Sequence, residues 1–212
     1  MRRKNKRIRN GVTNRIMYEI RLQKDKLRAD YLEKRKKTPA ELRRLYDEKI
    51  CERFMALVTY RYADIILMYA PFGYEINVDP IAVRALAAGK TVAYPKCDKT
   101  INIMKYHIVS STSQLVKGKY GIMEPPDDLP VFSHDKKNIH KTVCLVPALV
   151  YDVNGFRIGY GKGYYDRYLF GFSGIKVGFS YKDFIVPSVP RGRYDLAVDV
   201  LVTEKGVSAL HV

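Results

Sequence analysis

Two hydrophobic patterns alternate along the chain. Apolar positions at helical spacing predict a first helix from Asn14 to about Lys37. A second helix is predicted to begin at the capping box Thr38-Pro39-Ala40-Glu41, and a third at Asp79-Pro80, ending at Gly89. Short apolar runs predict strands over 64–70, 91–95, 101–109, 143–150, 175–181 and 197–203.

This alternation predicts the fold class. Strands separated by helices are typical of an α/β protein with three layers, a Rossmann-like open and mostly parallel sheet with helices on both faces. The run Val143 to Val150 is almost unbroken in apolar character, as expected for a central strand buried on both faces. We predict a basic tail without fixed structure over residues 1–13 and a single α/β domain over residues 14–212.

Length and composition fit one globular domain. The chain has 212 residues, with 47% hydrophobic and 28% charged residues, which is ordinary for a soluble protein. No apolar run approaches the roughly 18 residues that a membrane span needs, and we expect a cytoplasmic location. The three cysteines lack the spacing of zinc ligands and are predicted to be free thiols.

Positive charge is concentrated near the beginning of the chain. The formal net charge is +16, and residues 1–53 hold 19 of the 38 Lys and Arg but 8 of the 22 Asp and Glu. Such an arm is typical of a nucleic-acid tail or of a flexible solubilising segment, and both interpretations stay open. Neither aromatic platforms nor finger spacings accompany it. Its field would also attract anionic small molecules.

One stretch combines alternate glycines with positive charge directly after the buried strand. Asn154-Gly155 predicts a tight turn, and Gly159, Gly161 and Gly163 follow with Lys162 among them. Glycines let backbone N–H groups approach an anion closely, and lysine adds charge. The pattern therefore predicts a phosphate-binding loop, although its spacing matches neither a Walker A loop nor a dinucleotide fingerprint. A connector selected only for its turns is the alternative.

The residues around these glycines resemble the signature of the 5-formyltetrahydrofolate cyclo-ligase family, or methenyltetrahydrofolate synthetases. That signature is a strand ending in proline, an aspartate, and the pattern GxRxGxGxGYYDR. The matching positions are Pro147, Asp152, Gly155, Arg157, Gly159, Gly161, Gly163, Tyr164, Tyr165, Asp166 and Arg167. Turn glycines alone would not require Arg and Asp at fixed offsets.

The resemblance implies an activity. An enzyme of this family uses ATP to cyclise 5-formyltetrahydrofolate to 5,10-methenyltetrahydrofolate, through a phosphorylated formyl intermediate, with release of ADP and phosphate. Lys162 and Arg157 are the implied catalytic residues. The implied ATP-binding residues are Lys24, Arg28, Arg157, Ile158, Gly159, Tyr160, Gly161, Lys162, Gly163, Tyr164 and Tyr165.

The implied ATP and folate contacts lie in separate parts of the sequence. Lys24 and Arg28 are four residues apart on the first helix, so their side chains project from one side. The spacing alone also fits a solvated helix face. The implied substrate-binding residues are Glu75, Ala70 and Tyr164. Glu75 follows the first core strand, where open α/β sheets bind ligands, although a solvated loop carboxylate is the alternative.

The resemblance also implies a Mg²⁺ site at Asp166 and Asp199. An acidic residue within the apolar run 195–203 is costly to bury without a partner or a cation. Mg²⁺ commonly takes two carboxylates together with waters and nucleotide phosphates. The alternative is that Asp199 pairs with a basic residue or caps backbone groups, and that Asp166 only places an acid near a helix start.

Two other functions stay open. One is a basic nucleic-acid-binding protein on the same fold, for which loss of Lys162, Asp166 or Asp199 would be the mark, yet all three are present. The other is a related small-molecule kinase, which a phosphate site alone does not distinguish. Residues 121–125 are expected to wall the substrate cleft. We expect folate and ATP as small-molecule partners, no membrane contact and a monomer.

Overall fold

The computed structural model describes residues 2–98, 100–118, 121–133 and 141–210, with the side chains of residue 15 and of residues 17 onwards. The helices are α1 (Arg2–Lys37), α2 (Ala40–Ala56), α3 (Val58–Tyr62), α4 (Asp79–Ala87) and α5 (Tyr164–Leu169). The strands are β1 (Ile65–Leu67), β2 (Thr91–Asp98), β3 (Ile103–Val109), β4 (Val116–Lys117), β5 (Met123–Glu124), β6 (Thr142–Val146), β7 (Val150–Asp152), β8 (Arg157–Ile158), β9 (Ile175–Phe179), β10 (Ile185–Val186), β11 (Val200–Val202) and β12 (Val207–Ala209).

A seven-stranded sheet in the order β12-β11-β9-β6-β1-β2-β3 forms the centre of the fold. The five strands from β11 to β2 are parallel, and the edge strands β12 and β3 are antiparallel to their neighbours. Every residue of β1 and β6 is buried, which explains why all of them except Thr142 are apolar. A small sheet β10-β7-β8 and the hairpin β4-β5 complete the strands.

Hydrophobic clusters lie on both faces of this sheet. On one face, Ile66 and Val92 pack with residues of α1, α2 and α4, such as Tyr31 and Phe54. On the other face, neighbouring strand residues such as Leu67 pack with α5 and the segment after it. This arrangement confirms the predicted α/β class and mostly parallel sheet. No helix of the described residues is long and apolar enough to cross a membrane.

Several element bounds differ from the sequence prediction. Helix α1 begins at Arg2, so it includes the segment predicted to lack fixed structure. That segment contains no proline and is rich in Arg and Lys, which favour helix. The last predicted strand, 197–203, is shorter as β11, and β12 pairs with it in a hairpin that was not predicted.

The predicted capping box at the start of α2 is also wrong. Pro39 occupies the N-cap position of α2, where no side chain caps the helix. The Thr38 hydroxyl instead donates to the Lys34 carbonyl oxygen at 3.0 Å. Thr38 therefore satisfies the last turn of α1, because the two helices are joined too closely for its side chain to reach α2 as well.

Candidate active site

A cleft of about 590 Å³ opens where the parallel strands end. Its walls come from α1, the segments after β1 and β6, the β2-β3 ribbon, the hairpin β4-β5 and the stretch from β8 to α5. The sequence-predicted site residues that line it are Lys24, Arg28, Ala70, Glu75, Arg157, Ile158, Gly159, Tyr160, Gly161, Lys162, Gly163, Tyr164, Tyr165 and Asp166. Asp199 is not among its lining residues.

Glycine is required at two positions of the loop between β8 and α5. The φ angles are 88° at Gly161 and 67° at Gly163, in the left-handed region that side chains rarely adopt. A Cβ atom on Gly161 would also lie 3.0 Å from the guanidinium carbon of Arg28. The loop thus leaves room for an arginine of α1 to lie against its backbone.

The predicted basic pair of α1 contacts two segments of the cleft, Arg28 the glycine loop and Lys24 the segment that carries Asp195. The Arg28 Nε atom donates to the Gly159 carbonyl oxygen at 2.9 Å, and Arg28 also pairs with Asp25 on its own helix. The Lys24 ammonium forms an ion pair with Asp195. Both side chains therefore face the cleft, in contrast to the solvated helix face that their spacing also allowed.

Arg157 of β8 and Lys162 of the loop differ in their surroundings. Arg157 is buried, and it donates to Asp166 Oδ1 at 2.8 Å and to the Leu196 carbonyl oxygen at 2.9 Å. Lys162 lies exposed at the cleft, with no side-chain hydrogen bond or ion pair within the described part of the chain. The Lys162 carbonyl accepts from Arg167 Nη2 at 3.0 Å. The loop is therefore held through its backbone while its ammonium group stays free for a ligand.

Glu75 forms part of the opposite wall. Its carboxylate accepts from the Phe72 N–H at 2.9 Å, and burial raises the pKa of the carboxyl group to about 7. The Phe72 and Tyr160 rings meet edge to face at 6.2 Å between centroids. Two aromatic rings thus lie beside a carboxyl group, an arrangement that suits a flat ligand with N–H donors.

A third wall is mostly apolar. Pro95 and Cys97 of β2, Met104 of β3, and Ile122 and Met123 beside or within β5 line the cleft here. Glu124 lines it next to them, so residues of the 121–125 segment wall the cleft as expected. Soft, unbranched Met side chains adapt to flat ring systems.

The prediction that Asp199 holds a metal with Asp166 is corrected. Asp199 Oδ1 pairs with the Lys176 ammonium at 2.9 Å, and Asp199 Oδ2 accepts from the Lys176 N–H at 2.7 Å. The chain leaves β9 at the ligand end of the sheet and must return to the opposite end before it enters the parallel strand β11. Because Asp199 directly precedes β11, it lies at the end of the sheet away from the cleft.

Asp195, an acidic residue of the cleft, was not predicted from the sequence. It lines the cleft and pairs with Lys24. The signal was its position four residues before Asp199, in the same short motif. Over the described residues, no group of three or more His, Cys, Asp or Glu side chains is placed to hold a metal by itself. Any metal here would need ligands from a bound molecule as well as Asp166 or Asp195.

One signature residue has a structural role. The Asp152 carboxylate is fully buried and accepts from the N–H groups of Asn154, Phe156 and Val189 at 2.9, 3.0 and 3.2 Å. It also pairs with Arg191 at 2.9 Å. These contacts fix the turn between β7 and β8 from which the glycine loop starts.

The fold and the cleft define an α/β ligand-binding enzyme whose site gathers cations, a glycine-rich loop and carboxylates at the ends of parallel strands. A model of the 5-formyltetrahydrofolate cyclo-ligase family matches residues 21–204. The chain belongs to the 5-formyltetrahydrofolate cyclo-ligase family, and the resemblance noted in the sequence is confirmed.

Individual relatives agree with this assignment. The chain is 27% identical over 172 residues to a probable 5-formyltetrahydrofolate cyclo-ligase of Schizosaccharomyces pombe, covering 74% of this chain and 83% of that protein. It is 26% identical over 171 residues to the cyclo-ligase of Escherichia coli, covering 76% and 88%. The solved structure of 5,10-methenyltetrahydrofolate synthetase from Aquifex aeolicus matches with a TM-score of 0.74 and 32% identity, covering 90% of this chain and 94% of that one.

Proposed function

We propose that this protein uses ATP to convert 5-formyltetrahydrofolate to 5,10-methenyltetrahydrofolate, releasing ADP and phosphate. The observation that carries the proposal is the convergence of Lys24, Arg28, Arg157 and Lys162 on one cleft whose other walls are apolar, aromatic and acidic. A polyphosphate needs the first set of groups, and a pterin ring needs the second.

The glycine loop and α1 form the ATP side of the cleft. Lys162 is exposed and unpaired within the described structure, so its ammonium group is available to a phosphate. Lys24 and Arg157 are each paired with a carboxylate. Binding of ATP would give both cations phosphate partners in place of Asp195 and Asp166.

Mg²⁺ could bind Asp195 and Asp166 once their cation partners contact ATP. Asp166 and Asp195 both line the cleft and keep 29% and 20% of their side-chain surface exposed. Two carboxylates are the usual protein contribution to a Mg²⁺ ion that also binds nucleotide phosphates. When bound, the ion would neutralise charge on the transferred phosphoryl group. We therefore assign Asp195, in place of Asp199, as the second ligand.

Glu75, Ala70 and the rings of Phe72 and Tyr160 form the folate side. An ionised Glu75 would accept hydrogen bonds from the pterin amino and ring N–H groups. Tyr164 begins α5 directly after the glycine loop and lines the same cleft, and we propose that it lies between the bound ATP and folate. This placement would bring the formyl group of the substrate towards the terminal phosphate of ATP.

The reaction requires the protein to position the substrates and to supply positive charge, and it requires no protein nucleophile. The formyl oxygen attacks the γ-phosphorus, the bond to the ADP oxygen breaks, and an imine phosphate forms. The N10 nitrogen then attacks the formyl carbon and loses its proton, and phosphate leaves with the formyl oxygen. Lys162 and Arg157 stabilise the negative charge on the transferred group, as preorganised cations do in other phosphoryl transfers.

A spectrophotometric assay tests the proposal. Purified protein is mixed with Mg-ATP and 5-formyltetrahydrofolate, and the near-ultraviolet absorbance of the methenyl product is followed. We expect absorbance to rise only when all components are present, with one ADP formed for each product. ADP formation without methenyl product would indicate a kinase or an ATPase, and no reaction would overturn the proposal.

Location and assembly belong to the same proposal. We propose a cytoplasmic monomer, in keeping with the free thiols of Cys51, Cys97 and Cys144. None of the described contacts favours nucleic-acid binding over the cleft chemistry, since Lys162 and Asp166 both line the cleft. Gel filtration with light scattering tests the monomer.

A further inference from the structure

Arg35 is a buried arginine behind the folate side of the cleft. It belongs to α1, and 1% of its surface is exposed. Its guanidinium group donates to the carbonyl oxygens of Ala148 at 2.8 Å, Leu149 at 3.2 Å and Tyr74 at 3.0 Å. One side chain thus joins α1 to the turn after β6 and to the loop after β1.

Arg35 forms no contact ion pair within the described part of the chain, although its charge lowers the pKa of the Asp47 and Glu75 carboxyl groups. It lies near the rings of Phe184 and Tyr181, with centroids 5.3 and 5.8 Å from the guanidinium carbon. Burying a cation is costly even when carbonyl groups surround it. A methionine would fill the same space without that cost, so packing alone does not explain an arginine here.

The two segments that Arg35 joins both reach the cleft. Tyr74 directly precedes Glu75, and Ala148 directly follows Pro147, which lines the cleft with Glu75. Arg35 contacts the Tyr74 carbonyl, and Arg43 of α2 contacts the Tyr74 ring, with its guanidinium carbon 4.8 Å from the ring centroid. The loop that carries Glu75 is therefore fixed by two arginines from two helices.

We propose that Arg35 is a positioning residue for folate binding, which sets the place of Glu75 through the Tyr74 backbone. This inference rests on the proposed function of Glu75 as a folate contact. Arg35 touches neither the cleft nor a substrate, so it acts through the loop and through the electrostatic potential.

Among the described residues, Arg35 is the charged group that affects the pKa of Glu75. Burial raises the pKa of Glu75, whereas the Phe72 N–H and the positive charge of Arg35 lower it. The other titratable groups that act on Glu75 are the phenols of Tyr69, Tyr160 and Tyr165. Burial raises the pKa of each of these phenols, so they are neutral near pH 7. Loss of the arginine charge would therefore raise the pKa of Glu75 further.

The test compares Arg35→Met, Arg35→Lys and Glu75→Gln with the wild type. KM is measured for 5-formyltetrahydrofolate and for ATP between pH 6 and pH 9. Arg21→Met, at an exposed arginine of the same helix, is the matched control. In the wild type, the folate KM should fall as pH rises through about 7, because Glu75 binds in its ionised form.

We expect Arg35→Met to raise the folate KM about tenfold at pH 7 and to move the midpoint of its pH dependence upwards, with the ATP KM within about twofold of wild type. Arg35→Lys keeps the charge but loses the three-carbonyl geometry, so it should raise KM and leave the midpoint in place. In the Glu75→Gln background, Arg35→Lys should add no further increase.

Four outcomes overturn the inference. They are an unmoved midpoint in Arg35→Met, equal changes in the folate and ATP KM values, an effect of Arg35→Lys that persists in Glu75→Gln, and an equal effect of Arg21→Met. If Arg35→Met does not fold, Arg35→Lys alone and combined with Glu75→Gln still decides the matter. A failure of the proposed role of Glu75 as a folate contact is distinct, because Glu75→Gln itself would then keep the wild-type folate KM.

Discussion

The two ends of the parallel sheet use charged residues in opposite ways. At the amino ends of the strands, Asp64 pairs with Lys141 and Asp199 with Lys176, each at 2.9 Å. Each pair joins residues at the starts of neighbouring parallel strands. At the carboxyl ends, the charged residues instead line a cleft, and the Lys162 ammonium has no partner within the described structure. The charges at the amino ends pair across neighbouring strands, whereas those at the carboxyl ends line the cleft, where Lys24 and Arg157 pair with carboxylates and Lys162 has no partner within the described structure.

The difference shows that the role of a charged residue near a strand depends less on its type than on which end of the strand it occupies. Asp195 and Asp199 are four residues apart in one motif, yet Asp195 lines the cleft and Asp199 pairs at the far end. A carboxylate that lines the cleft is expected to affect catalysis. A carboxylate that pairs at the amino ends of the strands is expected to affect stability alone.

The largest expected effect follows from removing the free cation. Lys162→Ala should lower the rate on the order of a hundredfold, since a lost charge in a preorganised site typically costs about 3 kcal/mol. Lys176→Ala, at the amino end, is the matched control and should keep the wild-type rate. Steady-state kinetics at low and at saturating ATP measures both. Near-wild-type turnover of Lys162→Ala at both concentrations would contradict the role of Lys162.

A smaller effect is expected at Asp166. Asp166→Asn removes the charge that favours a hard cation but keeps the size of the side chain. We expect it to need about tenfold more Mg²⁺ for the half-maximal rate at fixed ATP. A melting curve serves as the control, because the variant also takes away the Arg157 partner. A lower melting temperature with unchanged Mg²⁺ dependence would show that Asp166 only positions Arg157.

Glu75 should make stability depend on pH. Because its pKa is about 7 in the folded protein and about 4.3 in an unfolded chain, the folded state binds more protons between these values. Stability should therefore fall as pH rises from about 4.5 to 7. Glu75→Gln should remove this loss and be more stable than wild type at pH 8, by on the order of 2 kcal/mol. Urea unfolding at pH 5 and pH 8 measures the difference, and equal pH dependence in both proteins would contradict it.

The smallest effect on catalysis is expected from removal of residues 1–12. The described contacts of α1 with the cleft begin at Lys24, and the family match begins at residue 21. The shortened protein should keep the cyclo-ligase rate within about twofold, and its retention on heparin should fall because it loses a dense cluster of Arg and Lys. A large loss of activity would place the beginning of α1 in the active site.

The glycine loop could be predicted from the sequence because its pattern is local. The loop with Gly161 and Gly163 lines the cleft together with the neighbouring Arg157 and Lys162, and both glycines have a left-handed backbone that side chains rarely adopt. Strand burial was also predictable, since β1 and β6 are apolar at every position except Thr142. These features depend on residues that are close together in the chain.

Features that depend on topology were not predictable. The position of Asp199 depends on a crossover that returns the chain to the amino end of the sheet, and no local pattern reports that return. Arg35 lies in the basic run 34–37, and although its spacing of four from Tyr31 places it on the apolar face of α1, no local pattern indicates which carbonyl groups it contacts. The absence of a capping box at Thr38 likewise reflects how closely α1 and α2 are joined.

One paired measurement tests the central claim that the cleft at the carboxyl ends of the strands binds the metal nucleotide. Mg²⁺ is titrated at fixed ATP in Asp195→Asn and Asp199→Asn, with a melting curve for each. We expect Asp195→Asn to need about tenfold more Mg²⁺ for its half-maximal rate, and Asp199→Asn to keep the wild-type Mg²⁺ dependence with a lower melting temperature. The reverse pattern would contradict the account and restore Asp199 as the metal ligand.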